Sequence, residues 1–191
     1  MEIIKIKNNE ELAIKKMAEA IMKDKVIIYP TDTVYGIGGN ALSEEVVDRC
    51  YRIKKRNKEK PLSVIVKNLE MIKEYCTISE REEKKIKKYF PGPYTLLFRR
   101  KKNSPVSKGK KLGIRIPDYD FIRKVMDKIK VPLISTSANI SGKPAPYSID
   151  KISRKVLEAA DLIIDSGKTK YKKPSIVVDL ENERIIRNLL K

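Results

Sequence analysis

The sequence predicts an α/β fold in which helices pack on a mixed β-sheet, and three observations carry that expectation. Short apolar runs alternate with amphipathic stretches along the whole chain, as expected when helices layer on a sheet. The last two apolar runs, residues 176–179 and 184–186, lie close enough for a hairpin, so parallel and antiparallel strands are mixed. With 191 residues, 41% of them hydrophobic, and neither an internal repeat nor a Gly/Ser/Pro-rich linker, residues 1–191 read as one domain.

Residues 3–6 alternate as a short strand. Asn8 is placed to cap a helix over 9–23, with Glu11 at the capping-box position and Ala13, Met17, Ala20 and Ile21 turned inward. Residues 26–29 form a continuous apolar strand stopped by Pro30. Ser43 caps a second helix to residue 55; Glu44 and Glu45 suit its first turn, and Val46, Val47, Cys50 and Tyr51 face inward. Residues 62–66 are strand-like, and Ser79 with Glu82 is a capping box opening a helix to residue 89, before Pro91. Strands follow at 94–98 and 112–116, then a helical stripe of Phe121, Ile122, Val125, Met126 and Ile129. A strand at 133–136, a helix at 149–160 and a strand at 161–164 lead to the terminal pair.

Composition narrows the chemistry. Lys plus Arg number 43 against 25 Asp plus Glu, a formal charge of +18, which favours polyanionic partners such as phosphates, nucleotides and RNA. The absence of histidine excludes Ser-His-Asp and Cys-His catalysis and any His-ligated metal. Two cysteines, Cys50 and Cys76, can build neither a disulfide framework nor a four-cysteine zinc site; they read as buried thiols of a reducing compartment. No signal-peptide core and no run of 18 apolar residues occurs, so a soluble, cytoplasmic protein is expected.

Four polar segments interrupt the apolar pattern where strands end, the usual place for ligands in α/β sheets. In residues 30–40, Gly36-Ile37-Gly38-Gly39-Asn40-Ala41 formally matches a dinucleotide fingerprint, but six residues separate it from the strand ending at Tyr29, too many for the tight turn that motif needs. Two threonines, Asp32 and several glycine amides make a pocket wall or an ordinary loop. Residues 52–60 carry six cations in nine positions at a helix C-terminus, able to converge on a phosphate chain or to form a solvated face. Residues 135–141 crowd five hydroxyl or amide side chains after an apolar strand, suited to phosphate, ribose or an amino acid, or to an Asx/ST turn. In Gly113-Ile114-Arg115-Ile116-Pro117, alternation turns Arg115 away from Ile114 and Ile116, to a cleft or to water. Residues 173–179 accompany it.

Taken in order, PTDTVYGIGGNA, KKRNKEKPL, PGPYTLLF, GIRIP, STSANISG and PSIVVD resemble the YrdC family of threonylcarbamoyl-AMP synthases, in its single-domain form, over most of residues 3–187. The resemblance implies a twisted, open mixed β-sheet flanked by helices, with a concave basic surface. It implies that ATP, L-threonine and bicarbonate are turned into threonylcarbamoyl-AMP and pyrophosphate, with Mg2+ carried by ATP. A downstream transferase system would then modify N6 of adenosine 37 in tRNA. By motif correspondence Lys54 and Arg56, with Lys60 nearby, contact the ATP phosphates, while Ser137, Asn139 and Arg187 bind nucleotide. Thr33, Arg115 and Ser175 contact threonine, with Arg115 on its carboxylate. No side chain needs to react covalently, because nucleotidyl transfer depends mainly on positioning and charge. Two other readings compete: a module binding double-stranded RNA or tRNA on its basic face, and a carbamoyl-transfer domain like those in larger hydrogenase-maturation proteins.

Overall fold

A computed structural model describes residues 2–101 and 103–188. In chain order the elements are β1 (Glu2–Lys5), α1 (Glu10–Met22), β2 (Ile27–Tyr29), β3 (Gly36–Gly38), α2 (Glu44–Lys54), β4 (Ser63–Ile65), α3 (Leu69–Tyr75), β5 (Cys76–Thr77) and α4 (Glu80–Ile86). There follow β6 (Tyr94–Arg100), β7 (Lys111–Arg115), α5 (Asp120–Lys128), β8 (Leu133–Ser137), α6 (Arg154–Glu158), β9 (Leu162–Asp165), β10 (Ile176–Asp179) and β11 (Arg184–Arg187). The strands join in the order β1-β9-β2-β3-β8-β4-β7-β6-β10-β11, with β5 beside β6. β4 and β7 run parallel, as do β6 and β10, whereas β8 is antiparallel to both β3 and β4 and the β10–β11 pair is an antiparallel hairpin. The sheet is mixed and open, as the sequence implies. Among the described residues no helix is long and apolar enough to cross a membrane.

Side-chain alternation divides the core between the two faces of the sheet. Ile27 and Tyr29 of β2, with Leu162 and Ile164 of β9, meet Ile14, Met17 and Ile21 of α1 and Phe121, Val125 and Met126 of α5. Ile28 and Ile163 point the other way and meet Val46, Val47 and Cys50 of α2, a core that continues through Val64, Leu96 and Ile114. Both cysteines are fully buried and unbonded, and burial pushes their thiols up to about 12.

Several local expectations are corrected. Asn9, not Asn8, caps α1, its side chain accepting from the Leu12 amide at 2.9 Å; this puts Leu12 at the box position, so Glu11 closes no capping box. The box of Ser79 and Glu82 does form. The helix expected over 149–160 is only a 3-10 turn, Ile149–Lys151, followed by the five residues of α6, because Ile152 and Ser153 are extended between them. α3, capped by Asn68, and the two-residue β5 were not expected.

Residues 36–38, expected to be loop, form the strand β3 between β2 and β8. Glycine is ordinarily poor in strands, but here the neighbouring backbone demands it. A Cβ on Gly38 would lie 2.2 Å from the Ile134 carbonyl oxygen. Gly38→Ala is therefore expected to destabilise the fold by about 3 kcal/mol or more, read as a lower urea midpoint; an unchanged midpoint would show that the strands are not so closely packed.

Candidate active site

The open ends of these strands meet at a cleft lined from the β2–β3 loop by Thr31, Thr33 and Tyr35, and from the sheet by Ser63, Thr95, Arg115, Ser135 and Ser137. Arg56, Pro174, Ser175 and Arg187 complete its walls. The floor depends on a missing side chain. A Cβ at Gly113 would come within 2.7 Å of Ser63 Oγ and 3.2 Å of the Thr95 methyl, so glycine leaves the space these two hydroxyl residues occupy.

The β2–β3 loop is locked from within. Thr31 Oγ1 donates to the Val34 carbonyl at 2.7 Å, accepts from the Thr33 amide at 3.2 Å and lies 2.9 Å from Thr33 Oγ1. A strap from residue 166 to 175 ties over it: Thr169 Oγ1 donates to the Thr33 carbonyl at 2.7 Å, and the Tyr171 amide to the Asp32 carbonyl at 2.9 Å. Tyr35 fastens the start of the strap by donating to the Gly167 carbonyl at 2.8 Å and accepting from the Ser166 amide at 3.0 Å.

Three guanidinium groups share the cleft. Arg115, at the end of β7, is 4% exposed and its NH2 lies 2.7 Å from Oδ1 of Asp32, itself 1% exposed. Arg187, at the end of β11, donates from Nε and NH2 to the Ser175 carbonyl at 3.2 and 2.9 Å, and from NH2 to Ser175 Oγ at 3.1 Å; that hydroxyl in turn lies 2.8 Å from Thr95 Oγ1. Burial, then the charges of Arg115 and Arg56, lowers the Arg187 pKa below its ordinary value. Arg56 is held by the Lys60 and Pro61 carbonyls, each at 3.0 Å, and burial lowers its pKa too. Cations crowded this closely and partly dehydrated form a site for an anion.

Six of the nine expected residues line this cleft: Thr33, Arg56, Arg115, Ser137, Ser175 and Arg187. Lys60 is exposed and contributes its carbonyl to the Arg56 anchor. Asn139 lies on an adjoining apolar cleft with Ile140, Pro144 and Tyr147, and its Oδ1 accepts from Ser137 Oγ at 2.5 Å. Lys54 is 1% exposed beneath the loop: its ammonium donates to the Ser137 carbonyl, to the Asn139 carbonyl at 2.9 Å and to Asn139 Oδ1 at 3.2 Å. Three donors meet three acceptors, so Lys54 anchors the loop that carries Ser137 and Asn139. Residues 46, 47, 50, 51 and 54 follow the inward spacing of α2, a signal by which this orientation could have been found. Ser63 and Thr95 were not anticipated, since a lone hydroxyl in an apolar strand has no distinctive spacing.

The family model for Sua5, YciO and YrdC, described as telomere recombination, matches residues 19–188. A Methanocaldococcus jannaschii protein, provisionally named threonylcarbamoyl-AMP synthase, is 42% identical over 190 residues, covering 97% of this chain and 90% of that protein. The crystal structure of Pyrococcus abyssi Sua5 complexed with L-threonine is 30% identical with a TM-score of 0.83, covering 94% of this chain and 54% of that one. This chain therefore spans about half of that protein. Full-length HypF in its phosphate- and nucleotide-bound form is 25% identical with a TM-score of 0.75, covering 87% of this chain and 27% of that one.

Proposed function

The chain belongs to the Sua5/YciO/YrdC family, and from that premise we propose that it is an L-threonylcarbamoyladenylate synthase, a nucleotidyltransferase acting in tRNA modification. Threonine's amine adds to bicarbonate with loss of water to form a carbamate. A carbamate oxygen then attacks the α-phosphorus of ATP, the bond to the bridging oxygen breaks, and pyrophosphate leaves. The observation that supports this most is the convergence of Arg56, Arg115 and Arg187 on one hydroxyl-lined cleft, since every substrate is an anion or carries one.

The residues divide the task by position. Arg115, deep in the cleft with Thr33 and Ser175, takes the amino-acid carboxylate. Arg56, Ser137 and Arg187, with the loop anchored by Lys54, take the nucleotide and its phosphates. Fixed dipoles and charges in a partly dehydrated site stabilise charge developing on the leaving group without reorganising. Among the described residues the cleft lining includes no carboxylate, and Asp32 is committed to Arg115, so Mg2+ would arrive on the triphosphate and supply phosphate charge neutralisation there.

Purified protein with Mg2+-ATP is expected to release pyrophosphate only when L-threonine and bicarbonate are both present, with threonylcarbamoyl-AMP detectable by mass spectrometry. ATP turnover indifferent to threonine would defeat the proposal. Binding of double-stranded RNA or tRNA is the weaker reading, because Arg115 is almost fully buried, out of reach of the phosphates of a duplex backbone.

A further inference from the structure

The reaction as assigned uses Arg115 but leaves its buried partner unexplained. We propose that Asp32 is a positioning residue: it grips one edge of the Arg115 guanidinium from behind and so presents the rest to the substrate carboxylate. This rests on the reading that Arg115 receives the carboxylate of threonine.

Asp32 is fixed on three sides. Its Oδ1 accepts from Arg115 NH2 at 2.7 Å, its Oδ2 from the Asp118 amide at 3.3 Å, and its backbone carbonyl from the Tyr171 amide at 2.9 Å. Arg115 lines the cleft and Asp32 does not, so a ligand there meets the guanidinium and not the carboxylate behind it. The pair also leaves a donor unused. Arg115 Nε is buried and has no hydrogen-bond partner, and buried polar groups normally find one. A carboxylate has two acceptor oxygens suited to the remaining edge of the fork. Without Asp32 the long arginine side chain would be free to leave that geometry, and the entropy of fixing it again would fall on the substrate.

This role predicts a sign opposite to that of simple charge. Removing an acid next to an anion site should tighten anion binding if Asp32 acts only as a counter-charge. If it acts by positioning, near-isosteric Asp32→Asn should weaken it. Titration calorimetry with L-threonine is expected to show at least tenfold weaker binding by D32N, with ATP affinity within twofold of wild type. In turnover, the loss should fall on the KM for threonine and not on that for ATP. L-threonine amide, which lacks the carboxylate, should bind both proteins equally poorly. Threonine binding that is unchanged or tighter in D32N overturns the Asp32 role. A wild-type protein that binds no threonine overturns the underlying reading as well. Should D32N lose ATP binding and its cooperative melt together, Asp32→Glu decides: it keeps the charge but displaces the guanidinium, so weakened threonine binding supports positioning and wild-type binding refutes it.

Discussion

Arg115→Ala is expected to remove threonine-dependent turnover while the protein still binds ATP. Losing one member of a desolvated charge pair typically costs about 2–5 kcal/mol of binding, roughly 30-fold to several thousand-fold in affinity. Arg115 is 4% exposed and its partner 1%, which places the effect toward the upper end. The substitution also strands Asp32 as an unpaired buried charge, which is strongly destabilising in its own right. The two effects separate in a double-mutant cycle. Arg115→Met with Asp32→Asn should regain much of the stability lost by Arg115→Met alone, and none of the threonine binding. Threonine affinity within threefold of wild type in Arg115→Ala would remove this arginine from the amino-acid site.

Lys54→Met should act on ATP through the loop it anchors. Hydrogen bonds from a charged donor are each worth about 1.5–3 kcal/mol, and Lys54 supplies three to Ser137 and Asn139. Releasing that anchor is expected to weaken ATP binding roughly 10- to 100-fold, with threonine binding less affected. Unchanged ATP affinity would show that the loop holds its shape without the ammonium. Stability offers a second readout. Burial, reinforced by the charge of Arg56, lowers the Lys54 pKa to about 7, whereas in the unfolded chain it keeps its proton to the ordinary lysine range. Between those values the unfolded state binds more protons, so raising the pH stabilises the native state; below about pH 7 the full cost of the buried charge is present. Wild type should thus gain stability relative to Lys54→Met as pH rises above 7, and the difference should be flat below it. Parallel stability curves from pH 6 to 10 would contradict the burial of this amine.

Much of the fold was legible because its signals are local. The 3.6-residue spacing of Val46, Val47, Cys50 and Tyr51 and the box of Ser79 with Glu82 need no knowledge of distant neighbours. What stayed hidden is non-local. Gly36 to Gly38 form a strand because Ile134, nearly a hundred residues on, approaches their backbone. The short α3 buries one residue, Ile72, too little for a periodic pattern. At the site, polar crowding after apolar strands pointed to Thr33 and Ser137, the cation run at a helix C-terminus pointed to Arg56, and motif resemblance supplied Ser175 and the division of roles. A run of cations shows charge but not direction, so nothing in it separated Arg56 in the cleft from Lys60 in solvent; only Lys54, on the inward spacing of α2, carried a signal of its place under the loop. The union of Asp32 with Arg115 joins positions 83 apart in the chain, which no local pattern encodes.

The strand order also bears on synthesis by the ribosome. Among the described residues β1 has β9 as its sole sheet neighbour, Glu2 opposite Leu162, so once made it waits for about 160 more residues before it can dock. At about 5–20 residues per second, that interval is roughly 8–30 s. Throughout it the apolar edge of β2 that β9 will cover stays open to solvent, and chaperones have their chance to hold the nascent chain there.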